Sequence, residues 1–231
     1  MQPTTTNIKT KVLAALLTIA ALAAGQTAWA DNINISADAT DLAMTDGNTY
    51  TVTATNVTIT NRITVEGTVE LVLGTGTTLH APKGIQVSEG NTLTISGTGA
   101  LTIDETAYKY AGIGVSDQGN CGTVTITGGV INIQGGSNAY GIGTAGSSSA
   151  RCGDITITGG QVTVTAGNFS GDRYYAIGGL YGYGSLTLDW TNTTDYIILN
   201  NGCYGLASFS LVDGKELYIE AENGGNNLIA T

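Results

Sequence analysis

The sequence predicts an all-β protein wound as a right-handed parallel β-helix, a solenoid with an atypical C-terminal closing segment. Three observations predict it. First, Cys121-Gly-Thr-Val-Thr-Ile-Thr-Gly-Gly129 returns as Cys152-Gly-Asp-Ile-Thr-Ile-Thr-Gly-Gly160, with Ile126 and Ile157 at the same 31-residue interval. A fixed period of about 20 to 50 residues marks stacked structural units. Second, apolar residues alternate with Thr in short runs broken by glycine turns, the pattern of half-buried strands. Third, 34 Gly, 11% charged residues and Pro82 as the only proline after Pro3 suit strands joined by tight polar turns. A sandwich or up-and-down barrel does not explain a 31-residue echo holding three short strands. A propeller blade needs about 40 residues and four strands. A coil of three short strands, each stacked on its counterpart in the next coil, fits.

In chain order, residues 1–30 read as a secretory signal peptide. Lys9 and Lys11 form a short basic region, Val12 to Ala24 is apolar apart from Thr18, and Ala28-Trp29-Ala30 is a small-x-small cleavage site. The apolar stretch is shorter than the about 20 residues a membrane span requires. No Cys lies near the cleavage site to carry a lipid, and no later stretch is apolar enough to span a bilayer. A secreted or cell-surface location follows as an expectation. Two of the 8 basic residues leave with the leader while all 18 acids stay, so the net charge of −10 becomes −12. Such a surface argues against nucleic acid and anionic membranes as partners, since both need clustered Lys and Arg. It also repels polyanionic polysaccharides unless divalent cations intervene.

Residues 31–47 are weakly patterned and suit an N-terminal cap or edge strand. Coils are expected over 48–184. Tyr50 and Val52, Val57 and Ile59, Ile63 and Val65 alternate with polar residues, and Val69-Glu-Leu-Val-Leu73 is more continuous. Leu79, Ile85, Val87, Leu93, Ile95, Leu101 and Ile103 carry the pattern to the repeats. There Val124, Ile126, Ile131, Ile133 and Ile142 are expected inward, with Ile155, Ile157, Val162, Val164 and Ile177 one coil on. Gly128-Gly129 and Gly159-Gly160 mark corners, and the spacing gives about seven coils. Residues 185–231 turn bulkier, with Trp190 and Phe209, and Asp213-Gly214 is a hairpin signal. A solenoid end exposes unpaired backbone, so this segment is expected to supply the last coil and its closure.

The phrase Gly-Ile-Gly followed by Cys-Gly-x-Val/Ile-Thr-Ile-Thr-Gly-Gly resembles the secreted repeat proteins of anaerobic gut bacteria that have the pectin-lyase-like β-helix fold. Ile63-Thr-Val-Glu-Gly-Thr-Val69, Lys83-Gly-Ile-Gln-Val87, Asn91-Thr-Leu-Thr-Ile95 and Leu186-Thr-Leu-Asp-Trp-Thr-Asn192 are similar to the segments flanking those repeats. The resemblance covers roughly 48–200. It implies an exported β-helix. Some relatives of that fold bind plant-wall polysaccharide and others are lyases.

The residues favour binding over catalysis. A β-helix lyase needs acids around Ca²⁺ and an Arg or Lys base, and a hydrolase needs two or three Asp on neighbouring strands. Here the acids are scattered, the only His is His80, and the best catalytic-looking spot is Asp172-Arg173 beside Tyr174, better read as a solvated loop pair. Asp104-Glu105 and Asp117 offer hard oxygens for Ca²⁺, but a solvated reading serves them better, and no cofactor is expected. Tyrosines are the most suggestive feature: Tyr108, Tyr110, Tyr140, Tyr174, Tyr175, Tyr181 and Tyr183 are seven of the 11 Tyr. If Tyr110, Tyr140 and Tyr175 stack along one edge, they form an aromatic strip suited to sugar rings. The expected partner is a polysaccharide or cell-surface glycan, and the alternatives are a lyase or hydrolase, or a structural adhesin stalk. Outward Thr-x-Thr pairs, such as Thr125/Thr127 and Thr156/Thr158, resemble ice-binding faces, but only two or three are expected to align. Cys121 and Cys152 fall at equivalent positions, about 4.8 Å apart if coils stack, within the roughly 4.4–6.8 Å disulfide span. A bond and a ladder of buried thiols are both open, and Cys203 is left over.

Overall fold

The computed structural model describes residues 31–104, 106–116, 119–145, 150–168, 175–179, 182, 184–190, 192–200 and 202–203, and the strand backbone of 217–222 and 225–230. The chain visits three faces in turn. Face one stacks Asn32–Ile35, Thr49–Val52, Thr68–Leu73, Thr92–Gly97, Thr123–Ile126, Ile155–Ile157 and Leu186–Leu188. Face two stacks Asn56–Thr58, Thr78–His80, Ala100–Ile103, Val130–Gln134, Gln161–Thr165 and Tyr196–Asn200. Face three stacks Ala43–Met44, Ile63–Val65, Ile85–Val87, Ile113–Gly114, Ile142–Gly143 and Ile177–Gly178. Every coil-to-coil pairing among these strands is parallel. The fold is the right-handed parallel β-helix, and its seven-stranded face one matches the coil count read from the repeat.

The repeat sets the register. Ile126 pairs with Ile157, Ile131 with Val162 and Ile142 with Ile177. Alternate residues of a strand point to opposite sides, so all ten inward residues expected from the repeat reach the core, each buried. Residues 31–47 form the first coil itself, with Asn32–Ile35 as the edge strand of face one. The far end changes direction. Gly225–Ala230 pairs antiparallel with Tyr196–Asn200, and Leu217–Glu222 pairs antiparallel with Gly225–Ala230. Two antiparallel strands thus extend face two beyond the last parallel rung, which gives a solenoid end partners for its open backbone. Asp213-Gly214, Phe209 and residues 1–30, expected to be a signal peptide, lie outside the described residues.

Cys121 and Cys152 are joined in a disulfide with Cα atoms 4.4 Å apart. The coil rise that stacks them brings their sulfurs within bonding reach. Cys203 is a half-buried thiol, and burial pushes its pKa up to about 11. It is therefore a protonated and poor nucleophile at neutral pH.

Candidate functional site

The turn from face two to face three carries the exposed aromatics found among the described residues. Tyr108 and Tyr110 lie there, 61% and 37% exposed. Each ring has a cation beside it: Lys109 Nζ is 5.8 Å from the Tyr108 centroid, and Arg62 Cζ is 5.3 Å from that of Tyr110. Asn138, one coil on, donates from Nδ2 to the Tyr108 hydroxyl at 3.0 Å. Lys109 and Asn138 occupy equivalent turns with φ of 60° and 62°, a left-handed conformation for which Asn is well suited.

Arg62 holds this corner together. Its Nη1 donates to Lys83 O at 2.7 Å, and its Nη2 to Ile85 O and Gly114 O, both at 3.1 Å. One side chain thereby links three successive coils. Arg62 has no described carboxylate partner, and its Nε is buried without an acceptor among the described residues. Burial pushes its pKa down to about 10, partly offset by Tyr110, so it remains a cation at neutral pH. The cost of burying that charge is met by carbonyl dipoles and the Tyr110 ring face. Arg62→Met is expected to destabilise the protein by about 3 kcal/mol, the scale of losing charge-assisted bonds from a buried site. Urea unfolding followed by circular dichroism checks this. Arg62→Lys should recover only part of the loss, because one ammonium nitrogen cannot reach the carbonyls that the two Nη atoms of the planar guanidinium reach separately.

The expected aromatic strip needs a correction. Strand pairing aligns Ile113 with Ile142 and Ile177. Counting back, Tyr110 matches Ala139, and Tyr140 matches Ala111. The bridges agree, with Tyr110 opposite Ser116 and Ala139 opposite Ala145. Tyr140 is accordingly 0% exposed, a core residue, and Tyr175 is half-buried. Tyr110, Tyr140 and Tyr175 do not form one exposed file. Tyr174, Tyr181 and Tyr183 lie outside the described residues.

The other candidates resolve differently. Asp104 meets His80, with Oδ1 2.8 Å from Nε2 across one coil of face two. Glu105, Asp117 and Asp172-Arg173 lie outside the described residues, and no group of three or more His, Cys, Asp or Glu converges as metal ligands among those described. No described helix is long and apolar enough to cross a membrane. The outward Thr row is longer than expected: Thr94, Thr125, Thr156 and Thr187 align over four coils, preceded by Glu70 and Thr49. The flanking row is less regular, since Thr92 and Thr123 give way to Asp154 and Ser185, which bond each other at 2.8 Å. Sequence reasoning missed Arg62, Lys109 and Asn138 as parts of one corner. The available signal was that Arg62, Lys83 and Lys109, half of the six cations after residue 30, all fall between face-two and face-three strands. No family model, curated protein or solved structure matches the chain.

Proposed function

We propose that this chain is an exported, non-catalytic β-helix that binds carbohydrate or a cell-surface polymer through the Tyr108–Tyr110 corner. The observation that carries the reading is that pair of exposed rings, each with a cation beside it, on one turn of a strongly acidic chain. Tyrosine offers a flat apolar face with a hydroxyl tip at low entropy cost, the chemistry that stacks on sugar rings. Backbone bonds from Lys109 N–H to Ser137 O at 2.8 Å and from Gly136 N–H to Tyr110 O at 2.9 Å tie the corner to the next coil, which lowers the ordering cost of binding. The leader-like residues 1–30 supply the route out of the cell.

A screen of the purified chain against soluble and insoluble polysaccharides tests the reading. On the best ligand, Tyr108→Ala with Tyr110→Ala should weaken retention at least tenfold, about 1.4 kcal/mol, with an unchanged β-type circular dichroism spectrum. Unchanged retention discards this corner. New reducing or unsaturated ends in the same screen would point instead to a lyase or hydrolase. Fibres or multimers with no retention at all would point to a stalk.

A further inference from the structure

A cleft of about 300 Å³ lies at a different corner, where face three returns to face one. Its floor is the Cys121–Cys152 disulfide flanked by Gly122 and Gly153. Along one wall Glu89, Asn120 and Arg151 stand in file, one per coil and 31 residues apart. Backbone bonds fix the file: Glu89 N–H donates to Asn120 O at 2.9 Å, and Cys121 N–H donates to Arg151 O at 2.8 Å. Asn120 spends both ends of its amide within it. Its Nδ2 donates to Glu89 Oε2 at 3.1 Å, and its Oδ1 accepts from the Arg151 backbone N–H at 3.0 Å.

Opposite charges therefore stand at the two ends of the file, two coil rises or about 10 Å apart at the backbone. Among the described residues neither the Glu89 carboxylate nor the Arg151 guanidinium has an ion-pair partner. Asn120 occupies the rung between them. Asn91 completes the lining with an amide nitrogen that has no described partner, its Oδ1 being taken by the Gly67 N–H at 2.7 Å. Thr123 adds a hydroxyl.

We infer that this cleft binds a zwitterionic saccharide unit, one carrying both an amine and a carboxylate. The amine meets the Glu89 carboxylate, and the carboxylate meets the Arg151 guanidinium, whose planar fork suits two oxygens. Asn91 and Thr123 are placed for ring hydroxyls. Net charge selects the zwitterion over a purely anionic sugar. A chain of net charge −10 repels the anion at long range, while a ligand of no net charge escapes that repulsion and still uses both ends. The volume suits one or two sugar units, at the small end of ligand pockets.

Titrating the exported chain with four probes tests this: muramic acid (amine and carboxylate), glucosamine (amine only), glucuronic acid (carboxylate only) and glucose. With affinities read by NMR shift changes, muramic acid should bind at least tenfold tighter than each of the others. Glu89→Gln should reduce muramic acid to the level of glucuronic acid, and Arg151→Gln to that of glucosamine. Both side chains are exposed, so neither change should alter folding. Neither should alter Tyr110-dependent polysaccharide retention, which separates failure here from failure of the proposed function. Equal affinity for all four probes, no binding of muramic acid, or indifference to both substitutions overturns the inference.

Discussion

Gly143→Ala is expected to cost more than about 4 kcal/mol, the range reserved for severe core lesions. Gly143 sits on face three with φ of 143°, and a Cβ there would overlap the carbonyl oxygen of Gly178 in the next coil. Gly114 meets Gly143 in the same way one coil earlier. Backbone lies where the side chain would go, and both coils are pinned by parallel pairing, so neither can yield locally. A solenoid passes stability only between neighbours, so a broken rung near its middle separates the two halves. Gly76→Ala is the control. Its φ is 72° and nothing lies within 4 Å of the added Cβ, leaving only left-handed strain of about 1–2 kcal/mol. In urea melts Gly143→Ala should unfold far earlier than Gly76→Ala, or fail to fold. Melts within about 1 kcal/mol of each other would show that coil contact at the glycine file does not limit the fold.

The same tight stacking explains what was legible in the sequence. Val124, Ile126, Ile131 and Ile133 alternate with polar residues and recur 31 places on, so their inward direction and their neighbours in space could both be read. The tyrosines could not be read that way. Tyr110-Ala-Gly-Ile and Tyr140-Gly-Ile look alike when tyrosine is laid on tyrosine, but the chain lays isoleucine on isoleucine. One residue fewer before Ile142 sets Tyr140 at the place of the fully buried Ala111 rather than of the exposed Tyr110, and buries it. The Arg62 strut was invisible for another reason. It joins residues up to 52 apart through backbone carbonyls, which every residue has and no composition reveals. The cleft beside the disulfide is intermediate. Its spacing was present in Glu89, Asn120 and Arg151, but their three different side chains hide a file that only the coil register exposes.

Removing the disulfide is the second large effect. Cys121 and Cys152 close a loop with a separation of 31 residues. In the chain-entropy account, opening a loop of that length costs about 3.7 kcal/mol through the unfolded state. For a chain of this size each kcal/mol moves Tm by about 2–4 °C, so Cys121→Ala with Cys152→Ala should melt about 7–15 °C lower. Reductant should lower the wild-type Tm similarly and leave the double variant unchanged. Cys203 should not intervene, because its thiol, with a pKa raised to about 11, seldom ionises to attack the bond. The bond spans one rung, so the loss should appear first in the coils holding Cys121 and Cys152, read as faster amide exchange at Thr123–Ile126 than at Thr68–Leu73. A double variant melting within about 2 °C of wild type would mean that residual structure already restricts this loop in the unfolded chain. The disulfide would then serve the cleft floor more than the stability of the fold.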